Sequence, residues 1–121
     1  MNDCIFCKIG NKEITSKILY EDDIVLVFLD INPDSPGHTL IIPKSHFKDL
    51  DDINDEVLLH IMKIARKMKN LLSEKLACDG ITLIQNNGDV QEVKHYHLHL
   101  KPFYKDKINL TVDEVYNKIM N

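Results

Sequence analysis

Three histidines alternate with apolar or aromatic residues in His95-Tyr96-His97-Leu98-His99-Leu100. Successive side chains of an extended strand point to opposite faces. The spacing therefore predicts His95, His97 and His99 in a row on one face, with Tyr96, Leu98 and Leu100 packed behind. With about 3.3 Å of rise per residue, neighbouring rings would start roughly 6–7 Å apart. Such a row can surround one phosphate or hold one metal ion. Imidazole changes charge near neutral pH and serves as nucleophile, proton carrier or ligand. Three of the six histidines fall within five residues, which points to chemistry rather than to packing.

Cys4-Ile5-Phe6-Cys7 is the second such pattern. Two thiolates at this spacing can share a zinc ion, which takes four ligands of this type in a structural site. A redox dithiol is the competing reading, but the pair lies outside any strand–helix unit of the thioredoxin kind. His46 and His95 are candidates to complete a metal site. Cys78 reads as a small packing residue at the end of a helix. Gly37-His38 opens a buried strand, and His46 follows its end. With the histidine row, they predict several strand ends converging on one site.

The elements that must position these residues follow from pattern. Lys17 to Tyr20 reads as a strand, Glu21-Asp22-Asp23 as a turn, and Ile24 to Leu29 as a buried strand rich in β-branched and aliphatic residues. Asn32 to Gly37 is dense in turn formers and predicts an irregular loop. Thr39 to Ile42 is a further strand, closed by Pro43. Val57, Leu58, Ile61, Met62, Ala65, Met68, Leu72 and Leu76 recur at helical spacing, with Asp52 or Asn54 as the cap. Lys63, Arg66, Lys67 and Lys69 mostly occupy the opposite, solvated side of that helix, and His60 reads as an incidental surface residue. Asp79-Gly80 ends the unit. Ile81 to Gln85 resumes as strand, Asn86 to Asp89 turns, and the histidine strand follows. Thr111-x-x-Glu114 predicts a capping box for a short helix, Val112 to Met120. Sequence-adjacent strands with tight turns, beside helices, give the α+β class.

The chain has 121 residues, 44% hydrophobic and 28% charged, which suits one globular domain with a core. A net charge of −4 argues against a general nucleic-acid or anionic-membrane surface. Its longest apolar run, Ile24 to Leu29, is too short to span a bilayer. Without a secretory pattern at Met1-Asn2-Asp3-Cys4, and with three cysteines that make no disulfide framework, the chain reads as cytoplasmic.

Taken together, these motifs resemble the histidine triad (HIT) nucleotide hydrolases and transferases. The His-x-His-x-His row matches that family's defining motif. Cys4-x-x-Cys7, Phe28-Leu29-Asp30-Ile31-Asn32-Pro33, Gly37-His38 through Pro43-Lys44, and Asn86-Asn87-Gly88 match in the same collinear order, over residues 4 to about 104. The chain is most similar to the small HINT-like branch. The resemblance implies a single domain over residues 1–121, an antiparallel sheet of about five strands with one long and one short helix, and a two-fold homodimer. It also implies a zinc-binding segment at about 4–46 with residue 95, and a helical tail at 111–120.

By the same resemblance, His97 corresponds to the nucleophile that attacks the α-phosphorus of a nucleotide, its other ring nitrogen donating to a backbone carbonyl. His99 corresponds to the histidine at the phosphate oxygens, and His38 to the one completing the site. Asp30 matches the residue that binds the ribose hydroxyls, Leu29 and Ile31 lie beside the base, and Asn86 contacts the ribose–phosphate side. Cys4, Cys7, His46 and His95 correspond to the ligands of a structural zinc. His99 implies hydrolysis, since the family's transferases carry glutamine there. Two departures stand out. The loop from Gly88 to Lys94 is short, with Val90 where a glycine is common and Glu92 near a usual serine-like phosphate contact. A carboxylate there would repel phosphate, so Glu92 is expected either to point away or to meet an amine-bearing leaving group. The segment after Phe103 matches no interpretable specificity tail.

The implied activity is hydrolysis of purine nucleoside phosphoramidates or related conjugates through a nucleotidyl-histidine. A dinucleoside polyphosphate hydrolase and a nucleotide-binding adaptor with incidental turnover are the alternatives. Neither a nucleic-acid polymer nor a membrane is expected as partner.

Overall fold

The computed structural model describes residues 3–121. Five strands form one sheet: β1 (Ile18–Glu21), β2 (Val25–Leu29), β3 (Thr39–Pro43), β4 (Gly80–Ile84) and β5 (Leu98–Phe103), in the order β1-β2-β3-β5-β4. All neighbours are antiparallel. The long helix α2 (Asp55–Leu76) and the short α3 (Val112–Met120) are as the periodicity predicts. Asn54, rather than Asp52, caps α2, its side chain accepting from Val57 N–H at 2.8 Å. The Thr111/Glu114 capping box closes in both directions.

Alternation sorts the two faces of the sheet. Val25, Val27 and Leu29 of β2, with Ile41 and Leu100, pack beneath Ile61, Ile64, Ala65, Met68 and Leu72 of α2. Leu26, Phe28, Leu40 and Ile42 point to the other face, where Phe6 and Ile9 of a third helix, α1 (Ile5–Gly10), cover them. Burying each of these large side chains contributes roughly 1.5–3 kcal/mol. α1 is an element the sequence pattern does not announce. Six residues are too few for a period to register, and the helix is held by the Cys4 side chain accepting from Cys7 N–H and by the sheet beneath.

The histidine segment differs from a simple strand. The β5 ladder begins at Leu98, so His95, in a bend, and His97 precede it outside the ladder, where Tyr96 N–H donates to the Phe47 carbonyl at 2.6 Å. Tyr96, Leu98 and Leu100 do pack behind, all buried. His60 is not incidental: its Nε2 lies 2.7 Å from Asp22 Oδ2, tying α2 to the β1–β2 turn. Cys78 is half-buried in the segment joining α2 to β4. Lys63, Arg66, Lys67 and Lys69 are exposed, Lys67 standing 4.5 Å above the Tyr20 ring. No helix among the described residues is long and apolar enough to cross a membrane.

Candidate functional site

β2 and β3 form a hairpin whose connection holds two of the predicted site residues at its base. Asp30 directly follows β2 and His38 directly precedes β3, and Asp30 N–H donates to the His38 carbonyl at 3.0 Å. Pairing of Leu40 with His99 across β3 and β5 then sets His99 beside them on the α1 face. The result is a pocket of about 420 Å³ on that face. Asp30, Ile31, His38, Asn86, His97 and His99 all line it. Leu29 borders it, but its side chain packs in the core under α2.

The row of three divides in two. His97 and His99 stay together at the pocket, their ring centroids 4.8 Å apart rather than at the wider spacing of an ideal strand. His95 turns to the thiols. Its ring is fully buried; its Nε2–H donates to the Pro43 carbonyl at 2.8 Å, and its Nδ1 lies 3.3 Å from Cys4 Sγ and 3.4 Å from Cys7 Sγ. His46 Nδ1 is 3.2 Å from Cys7 Sγ. The ligand atoms of Cys4, Cys7, His46 and His95 all fall within 4.8 Å of one another. A carbonyl can only accept, so the His95 proton sits on Nε2 and the Nδ1 lone pair faces the sulfurs. Two thiols and two imidazoles presented this way fit a closed tetrahedral metal centre.

The same accounting fixes the remaining rings. His97 Nδ1 lies 2.8 Å from the His95 carbonyl and must be its donor, which leaves the lone pair on Nε2. Asp34 N–H donates to His38 Nδ1 at 3.1 Å, so His38 carries its proton on Nε2 and donates to His99 Nδ1 at 2.9 Å. His99 is therefore left with an N–H at Nε2. Asp30, His38 and His99 also cluster closely enough to hold an ion. However, His38 has no nitrogen free to ligate in this arrangement, so the group is a hydrogen-bond chain.

Electrostatics keep the rings neutral at pH 7. Burial, with His97, His38 and Lys101 nearby, holds His99 at about 4 against the pull of Asp30. Burial likewise lowers His38 and His97, opposed in His97 by the His95 carbonyl, Asp30 and Glu92. A buried neutral imidazole with its far nitrogen anchored is a pre-aimed nucleophile, and an N–H donor stands next to it.

A family model, the HIT domain, matches residues 11–106. The chain belongs to the HIT family. Among relatives, an uncharacterized HIT-like protein of Methanocaldococcus jannaschii is 43% identical, over 96% of this chain and 98% of that one. The adenosine 5'-monophosphoramidase HNT1 of Saccharomyces cerevisiae is 45% identical, over 90% of this chain and 68% of its own length. Among solved structures, a HIT-like protein from Bartonella henselae superposes with a TM-score of 0.89 at 38% identity, covering 98% of this chain and 95% of that one. A zinc-bound histidine triad protein from Mycobacterium smegmatis gives a TM-score of 0.84 at 30% identity, covering 98% and 94%.

This HIT chain also brings residues to its pocket that sequence reasoning did not single out. Phe6 and Phe28 line one wall, and Phe6 meets the His97 ring edge-on at 4.9 Å between centroids. Lys101 lines the end beyond His99, its Nζ 2.6 Å from Asp34 Oδ2. Lys101 could have been found by continuing the alternation of His97 and His99 by one more step. Glu92, exposed to solvent, is among the residues that line the pocket, and its charge reaches His97.

Proposed function

We propose that this protein hydrolyses purine nucleoside phosphoramidates or related nucleotide conjugates, with His97 as nucleophile. The observation that carries the reading is the anchored His97 ring, its Nδ1–H spent on the His95 carbonyl and its Nε2 lone pair left at the pocket. His97 Nε2 attacks the α-phosphorus, the bond from phosphorus to the leaving atom breaks, and the leaving group departs with that electron pair and takes a proton from water. Water then attacks the nucleotidyl-histidine, freeing the nucleoside monophosphate and the imidazole. The His99 N–H and Asn86 hold the phosphate oxygens, and His38 fixes His99. Asp30 accepts from the ribose hydroxyls. Leu29 and Ile31, with Phe6 and Phe28, border the base. The activity named for the yeast relative supports this reaction class.

Cys4, Cys7, His46 and His95 would hold one zinc ion, a reading supported by the zinc bound in the similar Mycobacterium smegmatis protein. A zinc there would brace α1 against the histidine segment; the attack remains the work of His97. A single cytoplasmic HIT domain that pairs as a two-fold homodimer completes the reading. The unpaired edge of β4 and exposed Leu59, Met62 and Leu83 favour that assembly.

Rapid quench with an adenosine phosphoramidate labelled at phosphorus tests the function. An acid-labile, base-stable label on the wild-type protein, absent from His97→Asn, is expected. Release of AMP without such a label, unaffected by His97→Asn, would overturn the covalent route. Tight nucleotide binding with no release would instead favour the adaptor.

A further inference from the structure

Among the described pocket-lining residues, three are carboxylates, Asp30, Asp34 and Glu92, and one is a lysine, Lys101. Lys101 is committed to Asp34 at 2.6 Å. Asp30 accepts from Asn32 N–H at 2.9 Å and lies 3.7 Å from His38 Nε2. Glu92 has neither an ion pair nor a hydrogen bond to any described residue. Its side chain is exposed to solvent, but the chain on either side of it is pinned. The side chain of Gln91 is buried and donates to the Lys48 carbonyl at 2.6 Å, and Val93 packs on the core around Phe6 and Phe28. The cation nearest to it along the loop, Lys94, is tied to the Gly88 carbonyl at 2.6 Å.

A site with neutral histidines and this surplus of carboxylates must still accept an anionic phosphoryl group. Everything bonded to the phosphorus under attack lies close to His97, and Glu92 lines the same pocket as that ring. An anionic leaving group would add like charge to like; a cationic one would neutralise it. We propose that Glu92 selects conjugates whose leaving amine carries a further positive charge, and disfavours anionic leaving groups such as a second phosphate or a sulfate. This inference rests on the nucleotidyl-histidine reading above.

The test uses three adenosine phosphoramidates with the same P–N bond and linker, ending in an ammonium, an acetamide or a carboxylate. The wild-type kcat/KM should favour the ammonium over the carboxylate by about tenfold at low salt and lose most of that preference near 0.5 M, where the Debye length is only about 4 Å. Glu92→Gln should bring the three substrates within about twofold, and Glu92→Lys should reverse the order. Each comparison is a ratio within one variant, so a loss of folded protein cancels. Turnover with the wild-type order retained in Glu92→Gln overturns the role of Glu92 alone. Absence of turnover and of any covalent nucleotidyl-protein in the wild type overturns both readings.

Discussion

At the scale of single residues, the site depends on which nitrogen of each ring carries the proton. His97→Asn keeps polarity and some bulk but has no ring nitrogen to attack phosphorus. Its kcat should fall by on the order of 10³-fold or more, with nucleotide affinity largely kept. His99→Gln should slow the reaction less, because neighbouring donors still hold the phosphate. Single-turnover rates and nucleotide titration of both variants check this order; equal losses would place the two rings in one step. Which residues gather at the pocket and at the thiols was legible in the sequence because His and Cys are scarce and their spacing is distinctive. What was not legible is the parting of His95 from His97. Alternation puts them on one face, yet the ladder starts only at Leu98, and the pull of the thiols and of the Pro43 carbonyl decides where the His95 ring turns. Phe6 and Phe28 escaped for another reason: an apolar side chain facing a pocket has the same sequence signature as one facing the core.

Elements are held in register by a few local fixtures, and two of them make predictions. Asp22 caps the β1–β2 turn, accepting from Ile24 N–H at 2.8 Å and Val25 N–H at 2.9 Å, and it also meets Tyr20 and His60. Burial alone would raise its carboxyl, but these donors outweigh burial and hold it at about 2, below an ordinary value of 3.8. A depressed carboxyl stabilises the fold above its unfolded value and loses that contribution as pH falls towards the folded one. Stability should therefore drop between about pH 4 and pH 2, with roughly 1–2 kcal/mol of the loss belonging to Asp22. Urea midpoints across that range should show a shallower decline in Asp22→Asn, which starts from lower stability at neutral pH. The second fixture is Gly37, at φ +92°, where a Cβ would stand 2.5 Å from Leu76 Cδ1 and 3.1 Å from Pro102 Cγ. Gly37→Ala should cost about 1–3 kcal/mol and lower kcat as well, since His38 is the next residue. Thermal melts read alongside kcat check both effects. The long, periodic α2 and the capped α3 were plain in the sequence. The order β3-β5-β4 was not, because no local pattern says that the last strand inserts between two earlier ones.

On the scale of the whole molecule, the N-terminal helix joins the sheet through two apolar side chains and the group of thiols and imidazoles. Protein purified without added zinc should carry close to one equivalent per chain by elemental analysis. Cys4→Ser or chelation should lower Tm by at least about 10 °C, and chemistry measured on the remaining folded protein should suffer less. Unchanged zinc content in Cys4→Ser would remove the metal site from the account. The same arrangement bears on how the chain is made. Cys4 and His95 are 91 residues apart. Translation at about 5–20 residues per second delivers the thiols roughly 5–20 s before the ring they dock against. The segment that carries the thiols thus waits for its docking ring, and the pocket wall that Phe6 supplies meets the His97 ring only when the histidine segment has emerged.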